Sequence, residues 1–159
     1  MGLRAIAITL AVLALAGCGV GLVNREADAA ARGLYDAVRA GTDLSRDQRL
    51  AGALRTPDGL ASLAAARELI PKQAPEAVEN RGWRFSTTSQ GAAADLTHAY
   101  RYPDRTVVAE TALRKPPGAQ AWQIVQFRVR VEEADPHQRR RRQQEQPVRP
   151  DPALNPQRT

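Results

Sequence analysis

The sequence has little of what most enzyme chemistry requires. A single cysteine and two histidines among 159 residues exclude a disulfide framework and leave no paired Cys or His at metal-ligand spacing. Neither a metal nor a cofactor is expected. A glycine-rich loop able to cradle phosphates is missing, as is a nucleophile elbow. Aromatic residues are scarce, at 4 % of the chain, and Trp83 and Trp122 read as core or strand-edge side chains before they read as sugar platforms. An excess of one charge sign is also missing from most of the chain, although the whole carries +6. Residues 19–135 hold 16 basic against 15 acidic side chains, and residues 136–159 hold six arginines against two acids. The basicity therefore belongs to the tail, and no nucleic-acid partner is expected from the nearly neutral remainder.

What is present begins with a signal. Residues 1–4 give a short positive start, and residues 5–15 are apolar apart from Thr9. A small-residue ending, Leu15-Ala16-Gly17-Cys18, follows. Charged start, apolar middle and small-residue cleavage region make up a secretory signal. The ending resembles the lipobox of bacterial lipoprotein precursors. That resemblance implies cleavage between Gly17 and Cys18 and a diacylglycerol on the thiol of Cys18, with two or three acyl chains in all. An uncleaved membrane helix competes with this reading, because residues 5–23 approach the ~20 residues a span needs. Gly17, Gly19 and Gly21 count against it, since glycine weakens a helix where a span must still be continuous. A plain secreted protein would keep an unpaired thiol in an oxidising compartment, which lipid attachment avoids. Two or three acyl chains give lasting attachment where one gives only marginal binding. Gly19 after the cysteine, in place of Asp, resembles an outer-membrane address, so the expected location is the envelope, facing the periplasm.

About 142 residues would remain, enough for one domain. Residues 24–40 read as an amphipathic helix with Ala27, Ala30, Ala31, Leu34 and Val38 at helical spacing, stopped by Gly41. Ser45-Arg46-Asp47-Gln48 has capping-box spacing and predicts a short helix carrying Leu50, Ala51 and Leu54. A third helix is expected from Thr56 and Pro57, with Leu60, Leu63, Ala64 and Ala65 buried and Pro71 beyond its end. Residues 71–81 read as a polar connection with room for one helical turn at residues 75–79.

From Gly82 the period changes to two, the signature of sheet. Trp83, Phe85 and Thr87 share one face of the first strand. Leu96, His98, Tyr100 and Tyr102 share one face of the second, and Val107, Ala109, Thr111 and Leu113 one face of the third. Val125, Phe127, Val129 and Val131 do so in the fourth. Short turns join these strands, which makes an antiparallel meander, and the helices must cover one of its faces. The fold class is α+β.

The helix ending Tyr35-Asp36-Ala37-Val38-Arg39-Ala40-Gly41, the order of elements, and the last strand with Ala121-Trp122-Gln123-Ile124-Val125 resemble the nuclear-transport-factor-2-like, or cystatin-like, superfamily. The resemblance covers residues 24–133 and implies a cone-shaped domain. Members include isomerases, cyclases and dehydratases as well as plain binding modules, and no catalytic motif carries over. An isomerase-like site would need a base facing an apolar pocket and an acid opposite. Asp95, Glu110 and His98 are the candidate bases, and Tyr35, Tyr100 and Tyr102 the candidate donors. Asp95 and Glu110 share strand faces with arginines, which predicts cross-strand charge pairs.

Four domain boundaries follow: a signal peptide at 1–17, an anchor and linker at 18–23, the α+β domain at 24–133, and a tail at 134–159. The tail, with Arg139, Arg140, Arg141 and Arg142 in a row and five prolines, cannot bury enough apolar area to offset its ordering cost and is expected to be disordered. Outside the cytoplasm those arginines are candidates for binding anionic envelope polymers or lipid head groups. The functional expectation is a non-enzymatic, lipid-anchored module that binds a small apolar ligand or a partner. An isomerase- or dehydratase-like enzyme and a tether to envelope polyanions are the alternatives.

Overall fold

The computed structural model describes residues 25–133. The signal peptide and lipobox, the linker at 18–23, and the tail with Arg139 to Arg142 lie outside the described residues.

Helix α1 occupies residues 25–40. Ala27, Ala31, Leu34, Tyr35 and Val38 are all buried, and their spacing puts them on one stripe of the helix. Gly41 ends it at a φ of 70°, where its N–H and that of Thr42 reach back to the carbonyls of Val38 and Ala37, each at 3.0 Å. A left-handed cap of this kind favours glycine because no Cβ clashes.

The short helix expected from Ser45 does not form. Asp43 accepts the Ser45 N–H at 3.0 Å and Asp47 accepts the Arg49 N–H at 2.9 Å, so side chains take the local donors that a helix would have used. The chain then runs beside the sheet: Ile124 N–H donates to the Arg49 carbonyl at 2.7 Å and Ala51 N–H to the Ile124 carbonyl at 2.9 Å. Leu50 is thereby held in a parallel bridge to Ile124. Single turns close from Leu44 to Asp47 and from Asp47 to Leu50, and only Gly52–Arg55 form a helix, of the 3₁₀ kind.

Helix α2, Pro57–Leu69, starts as expected, with the Thr56 hydroxyl accepting the Gly59 N–H and proline in the first turn. Its buried side differs from the expected one. Leu63 and Ala66 are buried and Ile70 continues the stripe, whereas Ala64 and Ala65 are exposed. An interval of three and then four residues holds the face that meets the core, and the adjacent alanines lie a quarter turn round from it.

Four strands follow: β1 Ala77–Thr88, β2 Gly91–Arg101, β3 Arg105–Lys115 and β4 Gln123–Glu133. They pair antiparallel in the order β1-β2-β3-β4, the meander read from the sequence. β1 begins at Ala77, well before Gly82, because residues 77–80 pair with Arg101 to His98; no helical turn forms there. In β4 a bulge sets Ile124 opposite Leu113 and Gln126 opposite Ala112, so Ile124 faces inward and is buried while Val125 is half-buried.

The inner face carries Ala94, Leu96, Tyr100, Val107, Ala109, Leu113, Ile124 and Phe127, which join the buried side chains of both helices in one core. Burying a leucine or phenylalanine in this way is worth ~1.5–3 kcal/mol. The outer face is charged. Arg81 pairs with Glu132 at 2.5 Å, Arg101 with Glu79 at 3.1 Å, and Arg130 with both Glu110 and Glu132.

Candidate functional site

Helix α1 leaves part of the inner face uncovered near its N-terminal end. There a cleft of about 300 Å³ opens between the helix and strands β1 and β2, lined by Arg25, Asp28, Asn80, Trp83, Phe85 and Leu96. That volume sits at the lower end of the ~300–1,000 Å³ range of small-molecule sites.

The local sequence of β1 explains its lining. Asn80 pairs with His98 and Gly82 with Thr97, so Arg81 is the extra residue of a bulge. The bulge puts Asn80 and Trp83 on the same face although three positions separate them, which strict alternation forbids. The Asn80 side-chain oxygen accepts the Gly82 N–H at 3.0 Å, leaving its amide nitrogen as a donor. Trp83 is 66 % exposed because β1 is an edge strand. Its ring lies 5.7 Å from that of Phe85, which in turn meets Trp122 edge-on at 6.4 Å. The apolar wall of the cleft is thus continuous with the core.

Asp28 forms the polar side. Its Oδ1 accepts a hydrogen bond from His98 Nε2 at 2.7 Å, which places a proton on that nitrogen, and its Oδ2 lies 2.9 Å from Arg32 Nε. His98 is 1 % exposed and stands behind Asp28, so the carboxylate is the group that meets both the imidazole and the cleft. This pairing joins residues 70 positions apart.

The three candidate donors form a separate cluster. Tyr35 and Tyr102 share a hydrogen bond between their hydroxyls at 3.0 Å, and the rings of Tyr35 and Tyr100 stack in parallel. Burial raises all three phenols above their ordinary range, and for Tyr35 the hydrogen bond to Tyr102 adds to the rise. None of the three lines the cleft. The candidate bases Asp95 and Glu110 lie on the outer face, where Asp95 is 3.7 Å from Arg114 and Glu110 pairs with Arg130. Trp122 is buried in the core.

Sequence reading singled out His98 and Trp83 and missed Asp28, Arg25 and Asn80 as lining groups. Asp28 stands one position after buried Ala27 and four before Arg32, a carboxylate at the border of the apolar stripe. That position was the available signal, and it needed the β2 register to become a pairing with His98.

Among the described residues no group of three or more His, Cys, Asp and Glu side chains could hold a metal ion, and no helix is long and apolar enough to cross a membrane. In comparisons with known proteins, no family model matches the chain, and no curated protein or solved structure matches it either.

Proposed function

We propose that the protein is a lipid-anchored module of the bacterial envelope, facing the periplasm from the outer membrane, whose α+β domain binds a small ligand with an apolar body. The anchor reading is supported by Leu15-Ala16-Gly17-Cys18 behind an apolar run. The observation that carries the binding reading is the cleft itself. Trp83, Phe85 and Leu96 offer an apolar wall, and Arg25 and the Asn80 amide offer donors at its rim. A few placed polar groups over an apolar surface make a site that orients a ligand. The helix ending at Gly41 and lying along an antiparallel meander supports the further likeness to nuclear-transport-factor-2-like domains.

The pairing of Asp28 with His98 favours a second reading, an isomerase- or dehydratase-like enzyme in which Asp28, not Asp95 or Glu110, is the base. Binding remains the better reading because both carboxylate oxygens of Asp28 are engaged and no tyrosine hydroxyl lies across the cleft as the acid. The third reading, a polyanion tether through the tail, predicts binding that weakens steeply with salt and is lost without residues 136–159.

Titration with anilinonaphthalene sulfonate, an apolar dye with an anionic head, tests the leading reading. Saturable one-site emission is expected, weakened about tenfold, or 1.4 kcal/mol, in Trp83→Ala with the unfolding midpoint retained. Equal affinity in that variant would remove the cleft as the site. A turnover screen in which activity disappears in a folded Asp28→Ala protein would move the assignment to the enzyme.

A further inference from the structure

We propose that the rim of this cleft, with Trp83 at its tip and Arg25 beside it, docks on the surface of an anionic phospholipid bilayer. The inference rests on the reading of Cys18 as lipidated.

Tether length is the first observation. Cys18 and Arg25 are seven residues apart, and fully extended chain covers at most ~3.6 Å per residue, so at most ~25 Å of chain can separate Cys18 from a residue that lines the cleft. An anchor on that leash keeps this end of α1 near the head groups.

The second observation is the chemistry that the tethered end presents. Trp83 is the most exposed of the large apolar side chains in the described residues. Tryptophan is the residue favoured where one side of a ring is apolar and the other wet, as at a bilayer interface. Phe85 backs it at 5.7 Å, so the indole stands on a rigid base.

The third is charge. The acidic groups near the cleft are already paired: Glu26 with Lys115 at 3.2 Å and Asp28 with Arg32 at 2.9 Å. Arg25, which lines the cleft, has no ion-pair partner among the described residues. An uncompensated guanidinium group beside an exposed indole complements a phosphate-rich surface. Docked in this way, the mouth of the cleft opens into the head-group layer, and its ligand class is an amphiphile taken from the membrane.

The full lipidated protein, reconstituted in vesicles of equal parts phosphatidylglycerol and phosphatidylethanolamine, tests this with brominated phospholipid as the quencher of tryptophan. Intact mass measured on the same sample reports whether Cys18 carries lipid. With Cys18 lipidated, about half of the emission, one tryptophan of two, should be quenched by the brominated lipid and shielded from aqueous iodide. Trp83→Phe should abolish that quenching while Trp122 keeps its buried emission. Arg25→Glu should shift the docking equilibrium by roughly fivefold, less in high salt, with a smaller shift for Arg84→Glu, whose side chain stands on the outer face opposite Asp95.

Lipidated protein whose Trp83 is quenched by iodide and not by brominated lipid overturns the proposal. Trp83 shielded from both quenchers also overturns it, and points to residues 19–24 or a second copy as the occupant. An unmodified Cys18 removes the anchor reading and the docking with it, and the mass spectrum distinguishes that outcome from a lipidated protein that fails to dock.

Discussion

Truncating Asp28 to alanine removes the acceptor of a buried donor, and the cost follows from the geometry. His98 Nε2 lies 2.7 Å from Asp28 Oδ1, and the imidazole is 1 % exposed, so water does not readily replace the lost partner. Leaving a buried donor unsatisfied costs ~1–3 kcal/mol. Loss of the half-exposed ion pair to Arg32 one turn on adds only ~0.3–0.5 kcal/mol. Asp28→Ala should therefore lose about 2 kcal/mol, a fall in Tm of roughly 8 °C or more for a domain of this size. Asp28→Asn keeps a carbonyl oxygen within reach of Nε2–H and should lose less than about 1 kcal/mol. His98→Phe removes the donor itself, and in that background truncation of Asp28 should become nearly neutral, a coupling of ~1–2 kcal/mol. Urea unfolding followed by far-ultraviolet circular dichroism on all four proteins measures the cycle. Losses that simply add, or an Asp28→Ala midpoint equal to the wild type, would refute the buried pairing and leave the cleft with an ordinary surface carboxylate.

Three further outcomes follow from other parts of the fold. All three tyrosines of the chain sit in one buried cluster, and their phenols are raised above the ordinary value of 10.0; the stability this gives is complete below that value and is lost as pH rises toward the folded values. Phenolate absorbance should thus rise at higher pH than that of free tyrosine and appear together with unfolding; ionisation in the folded chain at the ordinary value would contradict the burial. Alanine at Gly59 gains ~0.8–1 kcal/mol in helix propensity, yet its Cβ would stand 2.4 Å from the Ala53 carbonyl oxygen and 2.6 Å from Leu54 Cα. A net loss of ~1–3 kcal/mol in urea unfolding is expected, with Gly52→Ala, which meets nothing within 4 Å, near neutral as the control. Hydrogen bonds from the Arg49 side chain hold the Asp47 carboxyl below its ordinary value of 3.8. Its contribution is present above that value and is lost as pH falls through the lowered one, so the acid limb of the urea midpoint should flatten in Asp47→Asn, and an unchanged limb would deny the pairing.

The change of period at the start of the sheet and the caps at Gly41, Thr56 and Pro57 were legible because each is a local signal. The errors came where non-local contacts decided. Ser45 and Gln48 have capping-box spacing, but Asp43 and Asp47 hold the nearby N–H groups and Ile124 takes both Arg49 and Ala51 into backbone hydrogen bonds. A twelve-residue strand starting at Ala77, in place of a helical turn at residues 75–79, needed the partner strand, since Glu79 and Asn80 carry no apolar alternation of their own. The bulge before Leu113 moved Ile124 inward by one residue, and nothing in Ile124-Val125 distinguishes the one that turns in.

The site was half legible for the same reason, and the outer face shows what the other half required. Ala99 and Val108 point away from the helices, yet both are 0 % exposed. They neighbour each other in the register, with Glu79 beyond one and Arg130 beyond the other. Arg81, on the bulge of β1, reaches Glu132 on β4 at 2.5 Å, and Glu132 also meets Arg130 at 3.4 Å. Two edge strands of a four-stranded sheet stand ~14 Å apart, so this pair must lie extended over the strands between and cover their small side chains. The same bulge residue that throws Arg81 outward brings Asn80 and Trp83 together on the inner face. One insertion in β1 therefore both straps the outer face shut with charge and opens the inner face at Trp83. The outer face offers a partner little but solvated ion pairs, whereas the cleft presents an indole with no cover. That contrast supports placing the proposed binding site on the side of the sheet where α1 falls short.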